Sequence, residues 1–150
     1  MNMDAQITDI SVVAVPPEMV GLIWHKVEPH IKKTIAQAPE ELSLFTIQNR
    51  LVTGEHILIV CTRGEDVIAA ITAAVEVTDA GKRILFLPVV GGGEMDQWLA
   101  PFMEVINAIA QNFNCSVIRG VSARSGWVKA LNSSGFPWEE RYIMIETKVV

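Results

Sequence analysis

Clustered positive charge is absent from this sequence of 150 residues. Its 12 Lys and Arg are outnumbered by 17 Asp and Glu, which gives a formal net charge of −5. Binding to a phosphate backbone without sequence preference requires Lys and Arg gathered on one face. We therefore expect no nucleic-acid partner.

Long apolar runs are also missing. No run approaches the about 20 apolar residues that a membrane helix needs. The opening residues, MNMDAQITD, lack the basic and apolar regions of a signal peptide. The sequence therefore predicts a cytoplasmic protein without a membrane partner.

Cysteine and histidine are too few and too scattered to indicate a metal site. Cys61 and Cys115 each lie in an apolar stretch, where a free thiol behaves as a small buried hydrophobe. His25, His30 and His56 are interpreted as ordinary surface or boundary residues. We expect neither a disulfide framework nor a metal.

What the sequence does contain is a large apolar fraction, since half of its residues are hydrophobic and 19% are charged. That balance is typical of a well-packed globular protein. The length fits one domain, which we place at residues 1–150. No repeat and no linker-like run divides it.

Helical spacing of apolar residues dominates the first third of the chain. Pro16 and Pro17 open a first helix, in which Val20 and Val27 belong to the apolar stripe. Pro29 is expected to break or kink this helix, because proline removes a backbone donor and clashes one turn back. A further helix is predicted to begin at residues 39–41 and to end at residue 54.

From residue 56 onward, short β-branched runs replace the helical spacing. They predict three neighbouring antiparallel strands with turns at residues 63–65 and 79–81. A long amphipathic helix follows, with its stripe running from Trp98 to Phe113. A strand in CSVIRGVSA, a short helix in SGWVKALNSS capped by Gly135, and a last strand in RYIMIETKV complete the order. The predicted fold class is α+β, with helices packed on a mostly antiparallel sheet.

The stretch PVVGGGEMDQWLAPFM, residues 88–103, raises a functional question, because three glycines join a strand to a helix. The first N–H groups of a helix have no partner within it, and the helix dipole favours an anion there. Glycine would let a ligand phosphate touch the main chain. A plain flexible turn is the competing interpretation, because neither GxGxxG nor GxxxxGK[ST] is present.

Two segments in this order of elements carry a resemblance to a known family. VVGGGEMDQWL and RSGWVKALNSSGF resemble the pyrophosphate loop and the later RxGWxxxLxxxGF segment of the GNAT acyltransferase superfamily. The whole arrangement is similar to small GNAT-like proteins of tailed phages and prophages. The resemblance covers roughly residues 10 to 149 and implies a sheet of about six to seven strands, with acetyl-CoA as cosubstrate.

The resemblance also implies where acetyl-CoA would bind. Val89 and Val90 would offer main-chain hydrogen bonds to the pantetheine arm. The diphosphate would lie on the glycine loop and the amides that follow it, and two basic residues would be candidates for the phosphate or adenosine end. These residues are Gly91, Gly92, Gly93, Glu94 and Met95 for the loop, and Arg124 and Lys129 for the basic pair, although both of these could equally be solvated surface charges.

Two departures from the family pattern weaken this site. Val89 stands where the superfamily usually has Gln or Arg, two residues before the first glycine. Glu94 and Asp96 add carboxylates at the start of the helix, where they would repel a diphosphate.

Acyl transfer to an amine needs a base, a polarised carbonyl and an acid for the leaving thiolate. Glu76 is the candidate base, with an exposed strand carboxylate as its alternative interpretation. Tyr142, placed in the last strand, and Ser122 are the candidate acids, and Tyr142 could equally be a packing aromatic.

Two functions of different classes remain open. The first is an acyl-CoA-dependent N-acyltransferase with an amine acceptor. The second is a non-catalytic GNAT-like phage or prophage protein with a structural role, which would be associated with the virion. A homodimer and phage virion components are further partners left open by the sequence.

Overall fold

The computed structural model describes residues 9–121 and 127–149. Five strands form one sheet in the order β1-β2-β3-β4-β5. The strands are β1 (Ile10–Val15), β2 (Ile57–Arg63), β3 (Asp66–Val77), β4 (Arg83–Gly92) and β5 (Val117–Gly120). The helices are α1 (Val20–Gln37), α2 (Leu44–Val52), α3 (Met95–Asn112) and α4 (Trp127–Asn132), and a short 3-10 turn (Pro17–Met19) precedes α1.

The first four strands pair antiparallel, and β5 joins β4 in parallel. The predicted meander of three antiparallel strands is thus confirmed, and β1 extends it on one side. The mixed α+β class is confirmed as well, but within residues 9–121 and 127–149 the sheet has five strands rather than the six to seven expected.

Each face of the sheet is covered by a helical layer. The long helix α3 buries its apolar stripe, including Trp98, Phe102 and Ile106, against one face. Helices α1 and α2 bury Val27, Ile31 and Leu51 against the other face. Alternate residues of the central strands point to opposite faces, so β2 and β3 are buried on both sides.

Pro29 does not break the first helix. Helix α1 continues through it to Gln37 as a single helix. Proline at position 29 removes only the bond to the carbonyl of His25, and both residues lie on the exposed side, where water can satisfy that carbonyl. Burial of Val27 and Ile31 on the other side stabilises the helix on both sides of Pro29.

The second helix begins later than predicted. Residues 38–41 form a turn, and α2 starts at Leu44 with Ser43 as its N-cap. The Ser43 hydroxyl accepts from the backbone N–H of Thr46 at 3.4 Å, which satisfies one of the free donors of the first turn. Gly54 ends the segment with φ of +80°, as the sequence predicted.

The predicted last strand is absent from the structure. Residues 137–149 have no regular secondary structure, and Tyr142, Ile143 and Ile145 are 77%, 89% and 92% exposed. The short helix α4 and its glycine cap are present, with Gly135 at φ of +88°. The composition of RYIMIETKV is rich in β-branched residues, but among the described residues the segment has no strand partner.

Candidate functional site

The three glycines of the loop have different neighbours. For Gly91 and Gly92, these neighbours explain why a side chain is not tolerated. A Cβ on Gly91 would come within 2.3 Å of the carbonyl oxygen of His30 in α1. A Cβ on Gly92 would come within 2.5 Å of Ala69 Cα in β3, and Gly92 also has φ of +135°. These two glycines let the protein's own backbone approach itself. Of the three, Gly93 alone has no atom of the described residues within 4 Å of its hypothetical Cβ.

Strand β4, which leads into the glycine loop, has an irregular register with β3 near the last residue that it pairs with β5. Thr72 of β3 pairs with Val89, but Ala74 pairs with Phe86, so β4 carries one extra residue between them, at Leu87 or Pro88. Proline has no N–H for a ladder and is tolerated at such a bulge.

The bulge coincides with the end of the β4–β5 ladder. The last pair between these strands joins Leu87 to Gly120. Beyond it, residues 88–92 of β4 have no strand partner on the β5 side within the described parts of the chain. Within residues 9–121 and 127–149, one edge of β4 therefore has no strand partner over the five residues 88–92, and this stretch is called the free edge of β4 below.

The main chain of this free edge is partly occupied. Val89 buries its side chain in the layer of α1 and α2, so only its backbone could face a ligand. The carbonyl of Val90 accepts from the hydroxyl of Thr34 at 3.1 Å, which ties α1 to β4. The N–H of Gly93 donates to the carbonyl of Ile68 at 3.2 Å.

Free donors do remain at the start of α3. Gln97 N–H donates to the carbonyl of Glu94 at 2.9 Å. The amides of Glu94, Met95 and Asp96 have no acceptor among the described residues. Three backbone N–H groups thus remain available beside the open space at Gly93, which fits an anion.

The acidic residue at this helix start is neutralised by a basic residue from another element. Glu94 lies at the N-cap in the left-handed region, with φ of 59°. Its carboxylate accepts two hydrogen bonds from the guanidinium of Arg63, at 3.0 and 3.1 Å, and the same guanidinium bonds Gln97. Arg63 ends β2, so the β2–β3 hairpin supplies the basic residue that neutralises Glu94. The repulsion expected from Glu94 is correspondingly reduced, and Asp96 remains as an acidic residue in the first turn.

A polar cavity of about 330 Å³ opens on the α1–α2 side of the sheet, next to the bulge. Its wall combines titratable groups with an aromatic ring and the bulge proline: Arg50, Glu55, His56, Glu76, Phe86 and Pro88. Glu76, the base predicted from the sequence, therefore faces a cavity that reaches the point where β4 and β5 part. A second cavity of about 300 Å³ between β1 and α1 is lined mostly by apolar side chains and lies away from this point.

His56 is the residue of this cavity that the sequence did not identify. Burial lowers its pKa below the ordinary value, and the Arg50 guanidinium lowers it further, while the carboxylates of Glu55 and Glu76 partly oppose the shift. The imidazole is therefore neutral at pH 7 and able to accept a proton. The backbone N–H of His56 donates to the carbonyl of Arg50 at 3.0 Å, which fixes it against the end of α2.

Two further predicted residues, Tyr142 and Lys129, do not line this cavity. Tyr142 is exposed in the unpaired C-terminal segment, where the Arg119 guanidinium lies 5.6 Å from the centre of its ring. Lys129 is exposed in the last turn of α4. Ser122 and Arg124 lie outside the described residues.

The described residues offer neither a metal-ligand cluster nor a membrane-spanning helix. Within residues 9–121 and 127–149, no three side chains of His, Cys, Asp or Glu come together as metal ligands. None of the helices in the described part of the chain is both long and apolar enough to cross a bilayer.

Solved structures with this architecture are acetyltransferases. An aminoglycoside acetyltransferase from an uncultured soil metagenomic sample, in complex with sisomicin, matches with a TM-score of 0.67 at 9% identity over 99% of each chain. The ribosomal-protein-alanine N-acetyltransferase of Brucella melitensis biovar Abortus 2308 matches with a TM-score of 0.64 at 10% identity, covering 94% of this chain and 99% of that one. A predicted acetyltransferase with acetyl-CoA from Clostridium acetobutylicum has a TM-score of 0.59 at 13% identity, covering 92% and 96%.

No protein-family model and no curated protein matches this sequence. At such low identities the structural likeness shows the fold alone. The chain has the fold of GNAT-type acetyltransferases.

Proposed function

We propose that this chain is an acyl-CoA-dependent N-acyltransferase that transfers an acetyl group from acetyl-CoA to an amine. The observation that carries the proposal is that a cavity with titratable side chains lies next to the stretch of β4 that has no β5 partner among the described residues. The cavity that holds His56 and Glu76 reaches Pro88, the residue at which β4 loses its β5 partner. Proton-accepting groups and an unpaired strand edge are thus adjacent.

The free edge of β4 has the length that the cosubstrate requires. From Pro88 to Gly93 the strand rises about 16 Å, at about 3.3 Å per residue. The pantetheine arm between the thioester sulfur and the first phosphate has about thirteen bonds, or about 16 Å when extended at about 1.25 Å per bond. An arm lying along residues 88–92 would place its diphosphate at Gly93 and the free amides of residues 94–96. Its thioester would then lie at the cavity.

The chain's own residues would bind, orient and deprotonate the acceptor. The cosubstrate supplies an activated acyl carbon as a thioester. Neutral His56 would accept one proton of the acceptor ammonium and release it to solvent, and the carboxylate of Glu76 in the same wall attracts the ammonium to it. The resulting amine would attack the acyl carbon, the C–S bond of the thioester would break as the C–N bond forms, and a second proton of the attacking nitrogen would pass to the leaving thiolate. Phe86 offers an apolar surface to the carbon chain that bears the amine. These roles make His56 the base and Glu76 its partner, whereas the sequence alone indicated Glu76 as the candidate base and His56 as an ordinary residue.

Titration of the purified protein with acetyl-CoA tests the first half of the proposal. At a concentration 100 times the dissociation constant, binding stabilises the native state by about 2.7 kcal/mol. For a chain of this length that raises the melting temperature by roughly 5–10 °C. Unchanged melting at millimolar acetyl-CoA would contradict the proposal and favour a non-catalytic phage or prophage protein, the alternative that the sequence left open.

Gly93 and Gly21 provide a matched pair of variants for the same titration. Both glycines have no atom within 4 Å of a hypothetical Cβ, but Gly21 lies in the first turn of α1. Gly93→Leu should melt like the wild type without ligand and lose the shift caused by acetyl-CoA, because its side chain fills the space beside the free amides. Gly21→Leu should keep the shift. If Gly93→Leu also keeps it, the diphosphate does not bind at this loop.

A further inference from the structure

The cavity beside the free edge of β4 holds a guanidinium that the proposed chemistry does not use. Arg50 lies in the last turn of α2 and lines the cavity together with His56 and Glu76. Its backbone carbonyl accepts the N–H of His56 at 3.0 Å and the hydroxyl of Thr53 at 3.2 Å. These bonds hold the main chain of Arg50 beside that of His56, so both side chains start from neighbouring points of one wall.

The charged side chains of this wall are not paired with one another. The ion pairs of the described residues are Lys32–Glu28, Arg63–Glu94 and Arg141–Glu139. Arg50, Glu55 and Glu76 belong to none of these pairs, so each of the three has no ionic partner in the described parts of the chain. A guanidinium binds a carboxylate through two parallel N–H···O bonds. A ligand that carries both a carboxylate and an ammonium therefore finds a partner for each in this cavity.

Arg50 is also the charged neighbour that acts most strongly on the His56 imidazole. Burial is the first cause of the lowered pKa of His56, and the Arg50 guanidinium follows, ahead of the opposing carboxylates of Glu55 and Glu76. Because a charge acts more strongly at shorter distance, the guanidinium lies close to the place where an amine would meet the base. A second ammonium on the acceptor would be repelled there, whereas a carboxylate would be attracted.

We propose that the acceptor is an α-amino acid with an apolar side chain, whose carboxylate binds Arg50 while its ammonium lies between His56 and Glu76. This substrate class rests on the proposed N-acyltransferase function. One carbon joins the two charged groups of an α-amino acid, which matches a guanidinium and a base that start from neighbouring points. Phe86 and Pro88 of the same cavity offer apolar surface to the side chain. The volume of about 330 Å³ is near the lower end of the about 300–1,000 Å³ of ligand pockets, which suits a small acceptor.

The transfer leaves the carboxylate unchanged. An amide bond forms between the α-nitrogen and the acetyl carbon as the C–S bond breaks, and CoA leaves as its thiol. The ammonium loses one proton to His56, which passes it to solvent, and a second to the leaving thiolate. The product is an N-acetyl amino acid, which keeps the group that binds Arg50 and loses the charge that Glu76 attracts.

Acetylation rates of matched acceptors test the substrate class. L-Leucine, L-leucinamide and 3-methylbutylamine share one side chain, and only the first carries a carboxylate. We expect kcat/KM for leucine to exceed that for either analogue roughly 10- to 100-fold, the range of a hydrogen bond to a charged group. Leucinamide loses its ammonium proton more easily than leucine, so a slower reaction of the amide cannot come from a more basic amine. Equal or higher kcat/KM for the amide, the amine or 1,5-diaminopentane would overturn the proposal and leave the N-acyltransferase function intact.

Arg50→Gln, with Lys33→Gln as its control, separates binding of the carboxylate from the loss of one positive charge. Lys33 is exposed on α1 and does not line the cavity. At pH 8, above the ordinary histidine pKa of 6.5, Arg50→Gln should raise the KM for leucine roughly 10- to 100-fold and change that for 3-methylbutylamine far less. Lys33→Gln should keep the preference for leucine. An Arg50→Gln protein that also keeps it would overturn the role of Arg50.

Binding of the amino acid alone tests the proposal apart from acyl transfer. Without acetyl-CoA, nuclear magnetic resonance should show the backbone amides of Arg50 and His56 shifting as L-leucine is added. The dissociation constant should be at least about 10-fold lower than for 3-methylbutylamine, and Arg50→Gln should remove this difference. Equal affinities for the two compounds would overturn the proposal whether or not acetyl-CoA binds. A clear preference for leucine in a protein that acetyl-CoA does not stabilise would instead overturn the transferase function and leave the cavity as an amino-acid site.

Discussion

At the scale of single residues, the three glycines of the loop separate folding from binding. Gly91→Ala forces a methyl group against the His30 carbonyl, and Gly92→Ala forces one against Ala69 at a φ that L-residues avoid. Overpacking of this kind costs roughly 1–3 kcal/mol, which lowers the melting temperature by roughly 2–12 °C for a chain of this size. Gly93→Ala should melt within about 2 °C of the wild type, because surface substitutions away from special features stay within about 0.5 kcal/mol.

Thermal unfolding followed by circular dichroism measures all three variants without any ligand. Equal destabilisation by the three substitutions would contradict the assignment of Gly91 and Gly92 to internal packing. A stable Gly91→Ala protein would show that α1 does not rest on β4 as the structure describes.

His56 makes a separate residue-scale prediction about pH. Its folded-state pKa is lowered by burial and by Arg50, so the imidazole protonates only below its ordinary value of 6.5. Acetyl transfer should therefore be independent of this group above pH 6.5 and should fall as pH drops through the lowered pKa. Because the folded-state pKa is lowered, the unfolded chain binds this proton first as pH falls. The contribution of His56 to stability is therefore present above pH 6.5 and is lost as pH falls through the lowered pKa.

Rates of amine acetylation between pH 5 and 8 check this prediction with His56→Gln and Glu76→Gln. We expect His56→Gln to lose roughly 100-fold or more in kcat/KM and to lose the acidic limb of the profile. Glu76→Gln should raise the KM for the amine by a larger factor than it lowers kcat. An acidic limb that survives in His56→Gln would assign the base to another group.

What the sequence could reveal about single residues depended on whether the signal was local. The helix-stopping role of Gly54 and the hairpin turn at residues 63–65 follow from local backbone preferences, and both predictions were confirmed. His56 was missed because a lone histidine has no periodic partner in the sequence. The register of β2 against β3 and that of β3 against β4 together bring Glu76 and Pro88 to the same wall as His56.

At the scale of elements, the β2–β3 hairpin and the start of α3 are joined by one ion pair with a testable charge effect. Glu94→Gln leaves Arg63 uncompensated beside the free amides and should tighten acetyl-CoA binding. Arg63→Gln leaves the Glu94 carboxylate unpaired there and should weaken it. Interactions of this type at helix ends are worth about 0.3–1 kcal/mol, or roughly two- to five-fold in the dissociation constant each way.

Calorimetric titration at two salt concentrations measures both variants. The difference between them should shrink at higher salt, because the pair is partly exposed and screened. Shifts of the same sign in both variants would mean that the pair acts on the conformation of the loop rather than through charge at the anion site.

Predictions at the element scale succeeded where a pattern is complete within one segment. The apolar stripe of α3 identifies both the helix and the face it buries, since both are encoded at the same spacing. Pro29 and the last strand failed for the opposite reason. Whether a proline interrupts a helix depends on the solvation of one carbonyl, and whether a β-rich segment becomes a strand depends on an edge elsewhere.

At the scale of the whole molecule, the fold places two groups of polar atoms at the two ends of residues 88–92 of β4. One is the cavity with His56 and Glu76, and the other is the set of amides at the start of α3. Helices cover both faces of the sheet, and among the described residues the stretch 88–92 of β4 has no strand partner on the β5 side. In the function that we propose, acetyl-CoA reaches the main chain along this stretch. The two sets are therefore separated along β4, as a two-substrate reaction needs.

The stability of the whole molecule at alkaline pH should depend on Cys61. This thiol lies in the middle of the core, between Val12 of β1 and Ala69 of β3, and burial raises its pKa to about 12. The unfolded chain releases the proton near pH 9, whereas the native state keeps it. A raised folded-state pKa contributes stability that is complete below the unfolded pKa and lost as pH rises toward the folded one. The free energy of unfolding should therefore fall by about 1.4 kcal/mol per pH unit from this group above pH 9.

Urea unfolding at pH 8, 9 and 10 measures the slope in the wild type and in Cys61→Ala. The variant should be less stable at pH 8, because the smaller side chain leaves a void in the core. Its loss of stability between pH 9 and 10 should nevertheless be smaller than that of the wild type by about 1 kcal/mol. Cys115→Ala is the control and should follow the wild-type slope, since that half-buried thiol lies outside the sheet. Parallel slopes in all three proteins would show that the Cys61 thiol reaches solvent in the native state, and the core between β1 and β3 would then be looser than its packing indicates.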